Sequence, residues 1–253
     1  MASNVGPSMP FLRMLLSLLR LTVLLGIVGT IALGLFVATR RQPADLPWTP
    51  LDPGAPPGLT TRAKLNALAG SPARCHALLA RAGIAYRALP GRTGEGGSCG
   101  FDDGVAWTRG GARAAAYAPA APALACPLAA TLAVWEWSVV QPAAARRLGT
   151  TVTRIDHFGS YACRRIYGRA SGDWSEHARA DAIDVAGFRL ADGRRITVAR
   201  DWKGGDDAAA FLHEVREGGC RLFGTTLSPD YNAAHRDHLH LDGARRGGWG
   251  FCR

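Results

Sequence analysis

The chain has 253 residues, 47% hydrophobic and 20% charged, which supplies a folded core and excludes a wholly disordered protein. The formal net charge is +10, and among the 30 basic residues only Lys64 and Lys203 are lysines. A basic surface suits an anionic membrane or cell wall. The lack of an arginine-dense block interleaved with aromatics argues against nucleic acid.

In chain order, the first element is an apolar span. Residues 21–38 carry no charge, and at 1.5 Å per residue they reach about 27 Å, close to the thickness of the bilayer hydrocarbon. A cleaved signal peptide has a shorter apolar region, about 7–15 residues, and a small-residue cleavage site. The span here is longer and no clear A-x-A site follows, so residues 1–41 read as an uncleaved anchor with the bulk of the chain outside, in preference to a cleaved signal segment with secretion of the domain. Arg13 and Arg20 before the span balance Arg40 and Arg41 after it, so flanking charge gives no orientation. Residues 42–60 hold six prolines and read as a semi-extended spacer. Residues 61–253 are then one domain by size. All six cysteines lie in it, which fits an oxidising compartment.

Within the domain, residues 63–69 and 72–82 predict two short helices, and 84–88 a strand. Residues 91–97 form a glycine-rich loop. The strongest helix is 127–141, with Leu128, Leu132, Trp135 and Val139 along one face. Pro127 suits its first turn, and Pro142 is expected to end or kink it. Residues 150–155 predict a strand. A second strand at 182–190 turns through Ala191-Asp192-Gly193 into a returning strand at 195–199. Residues 208–217 predict a helix stopped by Gly218-Gly219, and 238–241 a short strand. This order predicts an α+β fold, a small antiparallel sheet with flanking helices. Six cysteines allow 15 pairings. Nearest-neighbour logic gives Cys75–Cys99, Cys126–Cys163 and Cys220–Cys252. No C-x-x-C occurs, which argues against thiol ligation of a metal.

Two clusters carry chemistry. In His235-Arg236-Asp237-His238-Leu239-His240-Leu241-Asp242, three of the seven histidines fall within six residues. On a strand His238 and His240 share one face while Leu239 and Leu241 take the other. In Ser175-Glu176-His177-Ala178-Arg179-Ala180-Asp181-Ala182-Ile183-Asp184, the last carboxylate is flanked by apolar residues. A buried charge needs a partner, and a metal ion is one. His177, Asp184 and a distant histidine make a two-nitrogen, one-oxygen set for zinc with an open fourth position. Such a metal would acidify a water into a nucleophile. Ser175 reads as a turn cap, since no base is placed to activate it. Glu176 reads as a supporting partner to a ligand histidine, and His235 as peripheral. Asp156 and His157, adjacent on a strand, face opposite ways and are set aside.

The second cluster, S-x-H-x-x-A-x-A-x-D, resembles the S-x-H-x-x-G-x-A-x-D motif of zinc D-Ala-D-Ala carboxypeptidases and endolysin peptidases. Ala180 stands where that motif has glycine, so a positive φ there would distort the site. Asp237-x-x-His240 resembles their acidic-x-x-H motif, and His238-x-His240 is similar to related murein endopeptidases. More closely, residues 64–253 resemble the bacterial extensin-like C-terminal domain family. That resemblance is carried by Cys126-Pro127-Leu128-Ala129, Gly159-Ser160-Tyr161-Ala162-Cys163-Arg164, the two clusters above and the final Cys252-Arg253. The resemblance implies the zinc DD-peptidase fold, with zinc held by His177, Asp184 and His240. It implies Asp237 as general base, with His238 as a rival base or a donor to the substrate carbonyl. Arg164 would hold a substrate carboxylate or the developing oxyanion. The implied activity is a DD-carboxypeptidase or endopeptidase acting on peptidoglycan stem peptides, anchored in the inner membrane with its domain in the periplasm or outside the cell. The competing class is a non-catalytic wall-binding module that keeps the fold and a structural metal. A fourth protein ligand such as His238 would mark that alternative.

Overall fold

The computed structural model describes residues 9–94, 98–243 and 250–253. Helix α1 (Met9–Arg41) is 33 residues long. Its large apolar side chains, such as Leu24, Ile31 and Phe36, are exposed from Phe11 to Val37, and it is long and apolar enough to cross a membrane. The prolines that follow do not form an extended spacer. Residues 43–60 fold back on themselves: Leu59 N donates to Asp45 Oδ1 at 2.7 Å, and Thr60 N to Ala44 O at 3.3 Å. Lys64 Nζ holds Thr49 Oγ1 at 2.9 Å and Pro43 O at 3.3 Å. Proline restricts φ, and here the Asp45 carboxylate turns the stiffened chain back by capturing a backbone N–H.

The domain is α+β. Helices α2 (Thr61–Asn66) and α3 (Pro72–Arg81) lead into β1 (Ile84–Ala88). Of the glycine-rich loop, residues 95–97 lie outside the described residues. Its flanks pair as a ribbon, β2 (Arg92–Thr93) with β3 (Gly100–Phe101). Strand β4 (Gly104–Gly111) pairs with β1; β5 (Ala116–Ala118) leaves for the main sheet, and β6 (Ala123–Ala125) returns to β4. The chain then runs through α4 (Cys126–Trp135), a π-helical turn (Glu136–Val140) and α5 (Gln141–Leu148). Strands β7 (Val152–His157), β8 (Ala182–Leu190) and β9 (Arg195–Thr197) follow. The short α6 (Val198–Asp201) and the long α7 (Asp207–Leu222) precede β10 (Thr225–Leu227), β11 (Leu239–Asp242) and β12 (Phe251–Cys252). The main sheet runs β12-β10-β11-β8-β7-β5, with β9 on β8. It is antiparallel except at β10–β12 and β5–β7.

The helical layer of α4, α5 and α7 covers one face of this sheet. Trp135 packs on Phe188 and Phe223, and Phe188 on Phe211. Trp135 Nε1 also donates to Val215 O at 3.1 Å, which satisfies the indole in the core. Ile183, Val185, Leu239 and Leu241 complete that core, each fully buried. The period-2 alternation of a strand then places Asp184, His240 and Asp242 on the opposite face.

Four expectations need correction. Pro142 neither ends nor breaks the helical run, which continues to Leu148. The Gln141 N–H reaches back five residues to Glu136 O, and Pro142 falls in the first turn of α5, where no N–H is required. The run ends at Gly149, which is left-handed at φ 66°. Gly218-Gly219 do not stop α7, which runs on to Leu222. A Cβ on Gly218 would overlap both methyls of Val139, reaching Cγ2 at 2.6 Å, and one on Gly219 would lie 3.3 Å from Leu241 Cδ2. These glycines let α7 approach its neighbours closely. The strand expected at 195–199 stops at Thr197, because Asp201 Oδ2 accepts from Thr197 N at 2.7 Å and turns the chain into α6. Finally, the first two disulfides exchange partners. The bridges are Cys75–Cys126, Cys99–Cys163 and, as expected, Cys220–Cys252. Helix α3 packs on the start of α4, which brings Cys75 to Cys126 across 51 residues with Cα atoms 6.1 Å apart.

Candidate metal centre

The register of β8 and β11 creates the site. His240 is directly opposite Asp184, with Leu241 against Ile183 and Leu239 against Val185. The third residue arrives on a 3-10 turn, Glu176–Arg179. Ser175 caps that turn, its hydroxyl accepting from His177 N at 3.3 Å. The turn ends at Ala180, which is left-handed at φ 55°, the conformation that the motif glycine would supply without strain. Ala180 is fully buried, and its carbonyl accepts from Ala125 N at 2.9 Å, which fixes the turn to β6.

Three donor atoms converge. His177 Nε2 lies 3.2 Å from Asp184 Oδ2 and 3.3 Å from His240 Nδ1. His240 Nδ1 lies 2.9 Å from Asp184 Oδ1. The far nitrogen of each imidazole is also held. His177 Nδ1 donates to Ser160 O at 2.7 Å, which aims Nε2 at Asp184. His240 Nε2 donates to Asp242 Oδ2 at 3.1 Å, which aims Nδ1 inward. The set fits zinc on two counts. Two tetrahedral bonds of about 2.05 Å separate their donors by about 3.3 Å, close to the spacings here. Carboxylate or carbonyl support behind each ligand histidine is the usual outer arrangement of a metal centre. His177, Asp184 and His240 are thus the residues that could hold a metal, with ligand atoms all within 4.8 Å of one another.

Electrostatics agree with the geometry. Burial alone would raise the Asp184 pKa, but hydrogen bonds from His177 and His240 outweigh it and hold the carboxyl well below its usual range. Burial alone would lower His240, but Asp184 and Asp242 overcome it and lift the imidazole to about 9. The protein therefore keeps an anion here and binds a proton tightly where a metal ion would sit.

The other predicted residues surround this cluster. His238 Nε2 lies 3.5 Å from Asp184 Oδ1, and its Nδ1 is 2.9 Å from Asp237 Oδ1. Asp237 therefore stands behind His238 and is not among the residues that line the cavity in front of the cluster. That cavity has a volume of about 1020 Å³, and Arg164, Tyr167, Trp174 and Tyr231 contribute to its walls. Arg164 is exposed there, anchored through its own carbonyl, which accepts from Ser175 N at 3.2 Å. Glu176 does not support a histidine; it pairs with Arg179 at 2.8 Å. His235, read as peripheral, is buried, with its ring 5.2 Å from that of His238 and 5.9 Å from that of His240. Burial, followed by repulsion from His238 and His240, pushes its pKa down to about 4, so it stays neutral beside them. The 3-10 turn Ala233–His235 folds it back, a bend that strand periodicity does not reveal. Ser160 and Asp242 also have unanticipated roles, as partners of the ligand histidines.

A family profile described as extensin-like protein C-terminus matches residues 73–253, which include every residue of the site. The chain belongs to this family. No curated protein and no solved structure matches it. The extensin-like domain thus includes the whole main sheet, both histidine clusters and all six cysteines.

Proposed function

We propose that the extensin-like domain is a zinc-dependent amidohydrolase of peptidoglycan stem peptides, a DD-carboxypeptidase or endopeptidase of the type its motifs resemble. The observation that carries this reading is the convergence of His177, Asp184 and His240 at the floor of an open cavity, each histidine supported from behind. Zinc in that position supplies a Lewis acid and lowers the pKa of water to about 7.

The remaining roles belong to the chain. His238 donates Nδ1–H to Asp237, which leaves its Nε2 lone pair facing the cavity. The Asp237–His238 pair then acts as a base, Asp237 fixing the tautomer and His238 moving the proton. His238 Nε2 takes a proton from the attacking water and returns it to the leaving amine as the amide C–N bond breaks. The products are a carboxylate and a free amine. Arg164 on the cavity wall binds a substrate carboxylate. Helix α1 supports a place in the inner membrane, with the domain in the periplasm or outside the cell. One distance favours the wall-binding alternative: His238 Nε2, 3.5 Å from Asp184 Oδ1, is near enough to become a fourth ligand and close a structural centre.

The test is zinc content of the purified chain beside His240→Ala, followed by assay of peptidoglycan fragments for released D-amino acids or split cross-links. About one equivalent of zinc, lost in the variant, with turnover that falls in Asp237→Ala and His238→Ala while zinc is retained, supports the hydrolase. Zinc that departs in His238→Ala, with no turnover in the wild type, assigns a closed structural centre. No zinc in the folded wild type removes the hydrolase reading.

A further inference from the structure

A second cavity, of about 520 Å³, shares a wall with the candidate metal centre. The shared wall is the segment Phe158, Gly159 and Ser160. On the centre's side, Phe158 N donates to Asp184 O at 2.9 Å, Asp184 N to Gly159 O at 3.1 Å, and Ser160 O accepts from His177. Also on that side, the Phe158 ring stands edge-on to His238 at 5.8 Å. On the other side, Ser160 Oγ donates to Ala123 O at 2.7 Å, and the same three residues line the second cavity.

The lining of this cavity is amphipathic. Phe101, Tyr161 and Pro119 give it an apolar body, with Tyr161 edge-on to Phe101 at 5.4 Å. Phe158, which lines this cavity and stands against His238, is 63% exposed, although a large aromatic at the surface is costly to leave in water. Arg87 and Arg92 supply positive charge at the rim. Arg92 stacks over the Tyr161 ring at 5.4 Å, and no carboxylate pairs with either arginine among the described residues. Aromatic faces next to guanidinium groups recognise a carboxylate borne on an apolar or peptide body.

We infer that this cavity is a second substrate subsite, which takes a carboxylate-bearing peptide residue on the side of the reacting bond away from Arg164. The inference rests on the amidohydrolase reading and deepens it. Phe158 then forms the saddle between the two subsites, and Arg87 and Arg92 select for the anion. The segment that lines this cavity is bonded directly to Asp184 and His177, so a peptide residue held there lies next to the His177–Asp184–His240 floor.

The probe is the synthetic stem peptide L-Ala-γ-D-Glu-L-Lys-D-Ala-D-Ala, beside the same peptide with the D-Glu α-carboxylate amidated. Binding to the full chain in detergent micelles is measured by calorimetry with zinc removed, so that turnover does not intervene. The expected result is about tenfold weaker binding of the amidated peptide, the scale of a charge-assisted hydrogen bond partly exposed to water. Arg87→Gln/Arg92→Gln should bind both peptides equally, at the amidated level. Both arginines are exposed, so their replacement leaves the fold and the zinc content intact. Equal binding of the two peptides by the wild type, discrimination that persists in the double variant, or no binding of either peptide overturns the inference. Zinc content is scored separately. Discrimination without zinc keeps the subsite and removes the hydrolase, whereas zinc without discrimination does the reverse.

Discussion

Replacing Gly218 by alanine distinguishes two accounts of the same glycine. Were Gly218 a helix terminator, Gly218→Ala would extend α7 and gain the helix propensity of alanine, about 1 kcal/mol. The structure places it inside α7 against the π-helical turn, where the new Cβ would meet Val139 Cγ2 at 2.6 Å and Val139 Cβ at 2.9 Å. Contacts that short force Val139 or a backbone to move, and Val139 is itself buried. Overpacking of this kind costs about 1–3 kcal/mol, so the propensity gain is offset or exceeded and the variant should be destabilised by up to about 2 kcal/mol. Adding Val139→Ala removes both methyls and should recover part of the loss, giving a coupling that independent sites would not show. Urea denaturation of the full chain in mild detergent, followed by tryptophan fluorescence, measures Gly218→Ala, Val139→Ala and the double variant. A Gly218→Ala protein more stable than wild type would refute the packing argument.

Two further predictions concern the centre itself. In the metal-free chain the His240 pKa is raised from 6.5 to about 9. Its stabilising contribution is therefore complete below pH 6.5 and is lost as pH rises through 9. At 1.36 kcal/mol per unit this amounts to about 3 kcal/mol, so denaturant midpoints of chelator-treated protein should fall between pH 6.5 and 9.5, and unchanged midpoints would contradict the assigned hydrogen bonds. Ala180→Gly relieves a left-handed alanine, worth about 1–2 kcal/mol. It also loses a buried methyl, about 0.8 kcal/mol, and loosens the unfolded chain by about 0.4–1 kcal/mol. The net change should stay within about 1 kcal/mol with zinc affinity unaltered, and a larger shift in either direction would show that the alanine has another role.

Where local chemistry dictates structure, the sequence was legible. Strand β8 occupies residues 182–190 and β1 residues 84–88, as their composition suggests. His177, Asp184 and His240 gather because strand periodicity and a capped turn leave them little choice. Tertiary contacts decided the rest. Pro142 is a breaker by its own chemistry, yet the π turn Glu136–Val140 just before it removes the conflict. Gly218 looks like a stop until Val139 lies against it. Cys75 pairs with Cys126 because two helices pack, which no spacing in the chain encodes. His235 faces the centre through a bend, and Asp237 turns towards a neighbouring histidine rather than the cavity.

The folded-back proline segment sets a working radius. Stretched out, residues 42–60 would let the domain range about 60 Å from the end of α1. With Leu59 held by Asp45 and Thr60 by Ala44, nearly all of that slack is taken up before the domain begins. Under the proposed anchoring, a domain on so short a leash would patrol only the layer next to the bilayer. Cutting the Asp45–Leu59 link would lengthen its reach without touching a single residue of the site.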